Sequence, residues 1–298
     1  MMNRVYSGYS LEELATLFML LLLNLAILLF ARFGQAGDIF LFNLALVAVI
    51  VVVSRVQRSR GGEILTFIRD WYVLPLLITI YLEHGHLIPL INPHDLDGLF
   101  IGIDRILFFG HDPTVLLEEV TWRPVTELLQ IVYASFYFLP FSLCVLAYRR
   151  DREVTFHVVA ATIIIGFYIS YVGYYLTPAI GPRFTLEQLQ SIPLTGLLFF
   201  DFTRATLDAA TGIVRDCCPS GHAMVSFLTA LLARRYEKRF FVPALVWTGF
   251  LMYSTVYLRY HYMIDLIVGI ALAWIVFLFV PAIERLVTAR MGRQISFS

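Results

Sequence analysis

Long apolar runs constrain this chain more than any other feature. Leu14–Ala31 carries only Thr16 and Asn24 as polar residues. Further runs follow at Ile39–Val53, Ile64–Leu82, Val125–Tyr148, Phe156–Leu176, Pro219–Ala233, Phe241–Leu258 and Tyr262–Ile283. A membrane-spanning helix needs about 20 mostly apolar residues, so most of these runs have the length to cross a bilayer. The first is longer than the apolar region of a cleavable signal and no small-residue cleavage site follows it, so it is expected to stay as a span. Hydrophobic residues make up 59% of the chain and charged residues 15%. So few charges could not cover the surface of a soluble domain. The expected fold is all-α: a polytopic transmembrane helix bundle of about eight spans.

Basic residues set the orientation. Arg55, Arg58 and Arg60 follow the second run, and Arg149, Arg150 and Arg152 the fourth. Arg234, Arg235, Lys238 and Arg239 follow the sixth, and Arg285, Arg290 and Arg293 the eighth. Arg4 precedes the first. The arginines of the other side, including Arg32, Arg105, Arg123, Arg183, Arg204 and Arg215, are spread over long connections and mixed with acids. By the positive-inside rule both termini are cytoplasmic. Two long connections, Glu83–Pro124 and Thr177–Cys218, then lie on the outer face. Within the first, Leu96, Leu99, Phe100, Ile103, Ile106 and Leu107 recur at helical spacing. They predict a short interfacial helix, either a cover for a lipid site or a plain surface helix. The first two spans, residues 1–60, read as an addition to a six-helix unit over 61–298. The formal net charge of zero gives no basis for nucleic-acid binding.

Three segments with chemical potential meet on the outer face. Pro219-Ser220-Gly221-His222 opens the sixth run. A helix start exposes backbone N–H groups with the helix dipole behind them, which suits an anion. A helix cap with an interfacial histidine fits the same four residues. His261 and Asp265, four apart at the start of the eighth run, share a helix face. The carboxylate there can orient the imidazole for nucleophilic attack, although a lone pair at this spacing is more often structural. Arg183 leaves the fifth run in Thr177-Pro178-Ala179-Ile180-Gly181-Pro182-Arg183, and Arg259 precedes His261. Both guanidinium groups suit phosphate or a lipid headgroup. The histidines of the first long connection, His84, His86, His94 and His111, show no repeated ligand spacing. His157 reads as structural. Adjacent Cys217 and Cys218 would pair only with strain. No metal and no cofactor is expected, and the sharp reading is metal-free phosphoryl transfer through a phosphohistidine.

Pro219-Ser220-Gly221-His222, followed 39 residues later by His261 and then Asp265, resembles the type 2 phosphatidic acid phosphatase superfamily. The resemblance covers the six-helix unit. It implies that His261 takes the phosphoryl group, Asp265 orients it and His222 protonates the leaving group. Ser220 and Gly221 would bind phosphate. The family's third motif has Ser-Arg ahead of the histidine, with Arg six residues before it; here Ser254-Thr255 stands there and Arg259 is the nearby arginine. Its first motif, Lys with Arg-Pro seven residues on, is absent in that form: Arg123-Pro124 has Leu116 where Lys would be. Arg183 is the substitute for that role, with Arg259 as a second clamp. The string Tyr257–Leu266 with the Pro-rich exit from the fifth run is similar to the inositol phosphorylceramide synthase branch. That resemblance implies a phospholipid donor, with phosphoinositol as one headgroup, and a lipid alcohol as acceptor. A lipid phosphate phosphatase with water as acceptor is the alternative. The compact chain favours a bacterial inner-membrane member. A transporter or scaffold is the rival outside enzymology, but its ionisable residues should line a path through the bilayer rather than gather at one mouth.

Overall fold

The computed structural model describes residues 8–31 and 33–290. Arg4, Arg32 and Arg293 lie outside the described residues. The described backbone is helical, without strands. Helices α1 (Leu11–Phe30) and α2 (Phe33–Arg60) form the N-terminal pair. Next come α3 (Glu63–Trp71) and α4 (Val73–Ile91). Among the described residues, five helical stretches are long and apolar enough to cross a membrane, or seven when each of two bent pairs counts as one crossing. The chain is thus an all-α polytopic bundle.

The bent pairs are α7 (Arg123–Ala134) with α8 (Phe138–Arg150), and α14 (Met263–Leu278) with α15 (Val280–Arg290), each bent by 46°. Pro140 in the first turn of α8 and Pro281 in the first turn of α15 sit where a missing N–H is tolerated, which restarts each helix at a new angle. Before α7 lie α5 (Asp97–Leu107) and the single turn α6 (Pro113–Leu116). After α8 come α9 (Thr155–Leu176), the turn α10 (Pro182–Thr185), α11 (Phe200–Thr211), α12 (Gly221–Tyr236) and α13 (Lys238–Tyr257).

The expected sixth span is α12, and it differs from the others. With 16 residues it is about 24 Å long, short of a full hydrocarbon crossing. Its surroundings supply what its own sequence lacks. It packs on α13, α14, α9 and α8, and Ala223, Met224, Val225, Leu228, Ala230 and Leu232 are fully enclosed. Close approach at its start depends on two glycines. A Cβ on Gly173 of α9 would lie 2.3 Å from Pro219 Cδ, and one on Gly269 of α14 would lie 2.7 Å from the Ser220 carbonyl oxygen. Three helices therefore converge on the turn that bears His222.

The basic segments gather at the end of the bundle opposite that turn. Arg150 reaches Glu237 (3.2 Å), Arg235 reaches Glu284 (2.7 Å) and Arg290 donates to the Tyr9 carbonyl (3.1 Å). The N-terminal pair is clamped there by buried charge. Arg69 makes two hydrogen bonds to Glu13 at 2.9 and 2.7 Å, while His157 lies between Glu12 (2.8 Å) and Asp70 (3.6 Å). Charges out of water persist only when paired in this way. His157 has the structural part expected of it.

Two connections differ from expectation. Helix α4 runs nine residues past Leu82, because Leu87, Ile88, Leu90 and Ile91 extend the apolar face, so His84 and His86 are helical. His84 is fully enclosed against Tyr171, with Tyr175 Oη 3.2 Å from its Nδ1. Helix α5 exists where the spacing places it, but two of its acids turn inward, as Phe100 does. Asp97 and Asp104 are buried, while Leu99, Ile106 and Leu107 are exposed.

Candidate active site

The site is built from the start of α12, the turn between α13 and α14, and the strap leading from α9 to α12. Ser220 is the N-cap of α12, and its hydroxyl accepts from the Ala223 N–H at 3.2 Å. Its own N–H donates to the Asp265 carbonyl at 3.1 Å, which locks the first turn of α12 to that of α14. His222 follows two residues on, stacked on Tyr133 with ring centroids 4.5 Å apart.

His261 is delivered by the way α13 ends. The N–H groups of Tyr260 and His261 both donate to the Thr255 carbonyl, at 2.9 and 3.2 Å. Arg259 takes a left-handed φ of 67°, at a position where helices most often place glycine. Its guanidinium holds it there, donating to Glu118 Oε1 (2.8 Å), Gln190 Oε1 (3.0 Å) and the Ile192 carbonyl (2.6 Å). Arg259 therefore shapes the turn that carries His261, and it lines, together with Arg183, a second cavity rather than the one on which His261 opens.

Helix α5 braces the other side of that turn. Asp104 accepts from the N–H groups of Met263 (2.8 Å) and Ile264 (2.9 Å), capping α14 from outside its own chain segment. Burial pushes the Asp104 carboxyl up, against the pull of these two N–H bonds. Asp97 accepts from the Tyr262 hydroxyl (2.7 Å) and from the N–H groups of Ile180 (3.0 Å) and Gly181 (2.8 Å). The two acids that interrupt the apolar pattern of α5 thus tie three segments together.

These elements bring the two histidines together edge-on, with ring centroids 5.6 Å apart. His261 Nε2 lies 3.4 Å from His222 Nδ1. His261 Nδ1 lies 3.5 Å from Asp265 Oδ2, longer than a tight hydrogen bond. That carboxylate oxygen also accepts from the Tyr262 N–H (2.9 Å) and the Cys217 thiol (2.8 Å), while Oδ1 is buried without a partner. Catalytic hydrogen bonds are often this long before substrate binds. Both histidines open on a cavity of about 330 Å³ that Arg183 also lines. Arg183 forms a two-bond pair with Asp208, at 2.8 and 2.7 Å. The pair holds Asp208 below the usual carboxylate range and raises the Arg183 guanidinium. Ser220, Gly221, Asp265 and Arg259 stand behind the lining rather than in it.

A family model described as PAP2 superfamily matches residues 99–279, more than half of the chain. The chain belongs to the PAP2 superfamily. No curated protein and no solved structure matches it significantly. The PAP2 match takes in all three converging segments, and α1 to α4 precede it.

In this PAP2 chain several residues of the site carry no mark in the sequence. Asp216 lines the cavity and accepts a hydrogen bond from the Tyr81 hydroxyl of α4. Its one sequence signal is an acid six residues ahead of His222, next to two cysteines. Tyr133 and Tyr260 stack on each other with centroids 4.3 Å apart, and Tyr133 in turn covers His222. Nothing local distinguishes them from the many other tyrosines. Cys217 is the third neighbour of the His261–Asp265 pair: its Sγ lies 3.6 Å from His261 Nδ1. Cys217, His261 and Asp265 offer three donor atoms within 4.8 Å of one another, a set able to hold a metal ion. The spacing of cysteines and histidines along the chain gave no hint of it.

Proposed function

We propose that this PAP2 superfamily protein is a membrane lipid phosphotransferase working through a phosphohistidine. It moves a phospho-headgroup from a phospholipid to a lipid alcohol. The observation that supports this most is the 3.4 Å approach of His261 Nε2 to His222 Nδ1 at the wall of the cavity, with a carboxylate behind His261. In the first half-reaction His261 Nε2 attacks phosphorus. The bond from phosphorus to the diacylglycerol oxygen breaks, and His222 gives that oxygen a proton. In the second, the acceptor hydroxyl attacks phosphorus, its proton passes to His222 and the P–N bond breaks. Asp265 keeps the Nδ1 proton of His261 in place and balances the charge that forms on the ring. Arg183 neutralises phosphate oxygens at the cavity mouth.

A transferase has to keep water from the phosphoenzyme. α11 and the strap over residues 177–218 wall the cavity with Ile180, Arg183, Phe184, Leu207 and Asp208, which supports that requirement. The basic end of the bundle faces the cytoplasm, both termini with it, so the cavity opens on the outer leaflet. The mechanism needs no metal. The test is purified protein in detergent, given a phosphodiester lipid with ceramide or diacylglycerol as acceptor, with products read by mass spectrometry. A new phosphodiester formed faster than free phosphorylated headgroup supports the proposal. Release of phosphate from monoester lipids alone, at any acceptor concentration, makes the protein a lipid phosphate phosphatase.

A further inference from the structure

The cavity is not uniformly suited to an anion. Arg183 and the two histidines lie on its wall together with Asp216, a carboxylate that would repel phosphate. Elsewhere in the molecule acids near arginine are neutralised: Asp208 by Arg183, Asp95 by Arg215, Glu118 by Arg259 and Asp112 by Arg105. Arg215 directly precedes Asp216 yet turns to Asp95, at 2.7 Å. Among the described residues no lysine or arginine forms an ion pair with Asp216. Its hydrogen-bond partner is the Tyr81 hydroxyl.

Much of the rest of the lining is aromatic, beside aliphatic Ile180, Leu207, Ile213 and Val214. Tyr81, Tyr133, Phe136, Tyr137, Phe184 and Tyr260 all contribute. Tyr133 is sandwiched between His222 and Tyr260, and Arg183 and Arg204 lie over the Tyr260 ring, so the rings left to a cation beside Asp216 are those of Tyr81 and Tyr137. Such ring faces beside a carboxylate attract alkylated ammonium groups, which are weakly hydrated. A polyol asks for different walls. Its hydroxyls would each need a partner on burial, and among the described residues the lining offers them no Asn, Gln, Ser or Thr, only tyrosine hydroxyls and two acids already bonded to Tyr81 and Arg183.

We infer that the cavity takes a zwitterionic phospholipid headgroup, with its phosphate at His261, His222 and Arg183 and its ammonium group at Asp216 among the tyrosines. This rests on the phosphoryl-transfer reading above and replaces the inositol headgroup that the sequence resemblance implies. The cavity volume of about 330 Å³ falls in the range of small-molecule sites and suits one headgroup, leaving the acyl chains outside. Burial pushes the Asp216 carboxyl above its usual range, with the Tyr81 hydrogen bond pulling it back.

The experiment separates headgroup recognition from chemistry. Calorimetry on the detergent-purified protein measures binding of phosphocholine, inositol 1-phosphate and inorganic phosphate. Phosphocholine should bind at least about 10-fold more tightly than inositol 1-phosphate. Asp216→Asn should abolish that preference while leaving phosphate binding within about 2-fold. Tyr137→Leu, which removes one ring from the wall, should weaken phosphocholine selectively and serves if the first variant does not fold. Equal or tighter binding of inositol 1-phosphate overturns the inference, as does an Asp216→Asn variant that weakens all three alike. Turnover of phosphatidylcholine against phosphatidylinositol is read in parallel. Selective phosphocholine binding with no phosphodiester turnover would leave the headgroup inference standing and refute the transferase reading instead.

Discussion

Replacing Asp104 by alanine tests whether α5 is part of the catalytic apparatus or only a surface helix. The side chain is 2% exposed and caps two backbone N–H groups of α14, at Met263 and Ile264. Loss of a helix cap costs about 0.5–2 kcal/mol. The same loss, counted as buried N–H groups left without an acceptor, is about 1–3 kcal/mol. A loss of about 2 kcal/mol is therefore expected, by the overlap of the two ranges. In a chain of this size it lowers the melting temperature by roughly 4–8 °C. The capped residues lie between His261 and Asp265, so the same change loosens the pair that must hold the nucleophile. A displacement of about 1 Å in such a group can cost about 10²-fold in rate. Melting in detergent and initial rate of headgroup transfer, measured on the same preparation, form the assay. Asp104→Asn keeps one acceptor oxygen but turns an amide donor toward the second N–H, and should fall between wild type and alanine. An alanine variant that melts within about 1 °C of wild type at unchanged rate would refute the bracing argument.

Four further outcomes follow from the same geometry. His261→Ala should abolish turnover with the fold intact, and Asp265→Asn should lower the rate by up to about 10⁴, as loss of an orienting carboxylate does elsewhere; near wild-type turnover by His261→Ala ends the phosphohistidine model. Activity should survive EDTA dialysis, and rate lost on chelation and restored by Zn²⁺ would make Cys217, His261 and Asp265 metal ligands rather than a hydrogen-bonded set. A cysteine in place of Phe202, 73% exposed on α11, should react with an impermeant thiol reagent in intact cells while one in place of Lys238 should not; the reverse labelling inverts the topology. Because the folded pKa of Asp216 is raised, its carboxyl gains a proton at a higher pH than a free aspartate. Phosphocholine affinity should therefore fall as pH drops through that raised value, while the Arg183–Asp208 pair, whose acid is depressed, stays intact over the same window. A flat affinity profile down to the ordinary aspartate range would count against Asp216.

The sequence by itself determined the membrane bundle and the three segments that meet at the site. Apolar length and the grouping of arginines are carried by consecutive residues, so both are legible without contacts. Pro219–His222 and His261–Asp265 are equally local: one is a helix start, the other a single helical turn. What lay beyond the sequence was the direction in which each side chain faces once helices distant in the chain have packed. Arg259 reads as a phosphate clamp beside His261, yet a left-handed turn sends it to Glu118, 141 residues earlier. Asp97 and Asp104 break the apolar spacing of α5, yet both are buried, because the N–H groups they satisfy belong to Ile180 and Gly181, just ahead of α10, and to Met263 and Ile264 of α14. Asp216 and Tyr81 are 135 residues apart and become a pair only when α4 closes against the strap before α12. Periodicity along one helix reports which residues share a face. It does not report whether that face meets lipid, water or the unsatisfied backbone of another helix, and at this site that choice fixed the chemistry of the cavity.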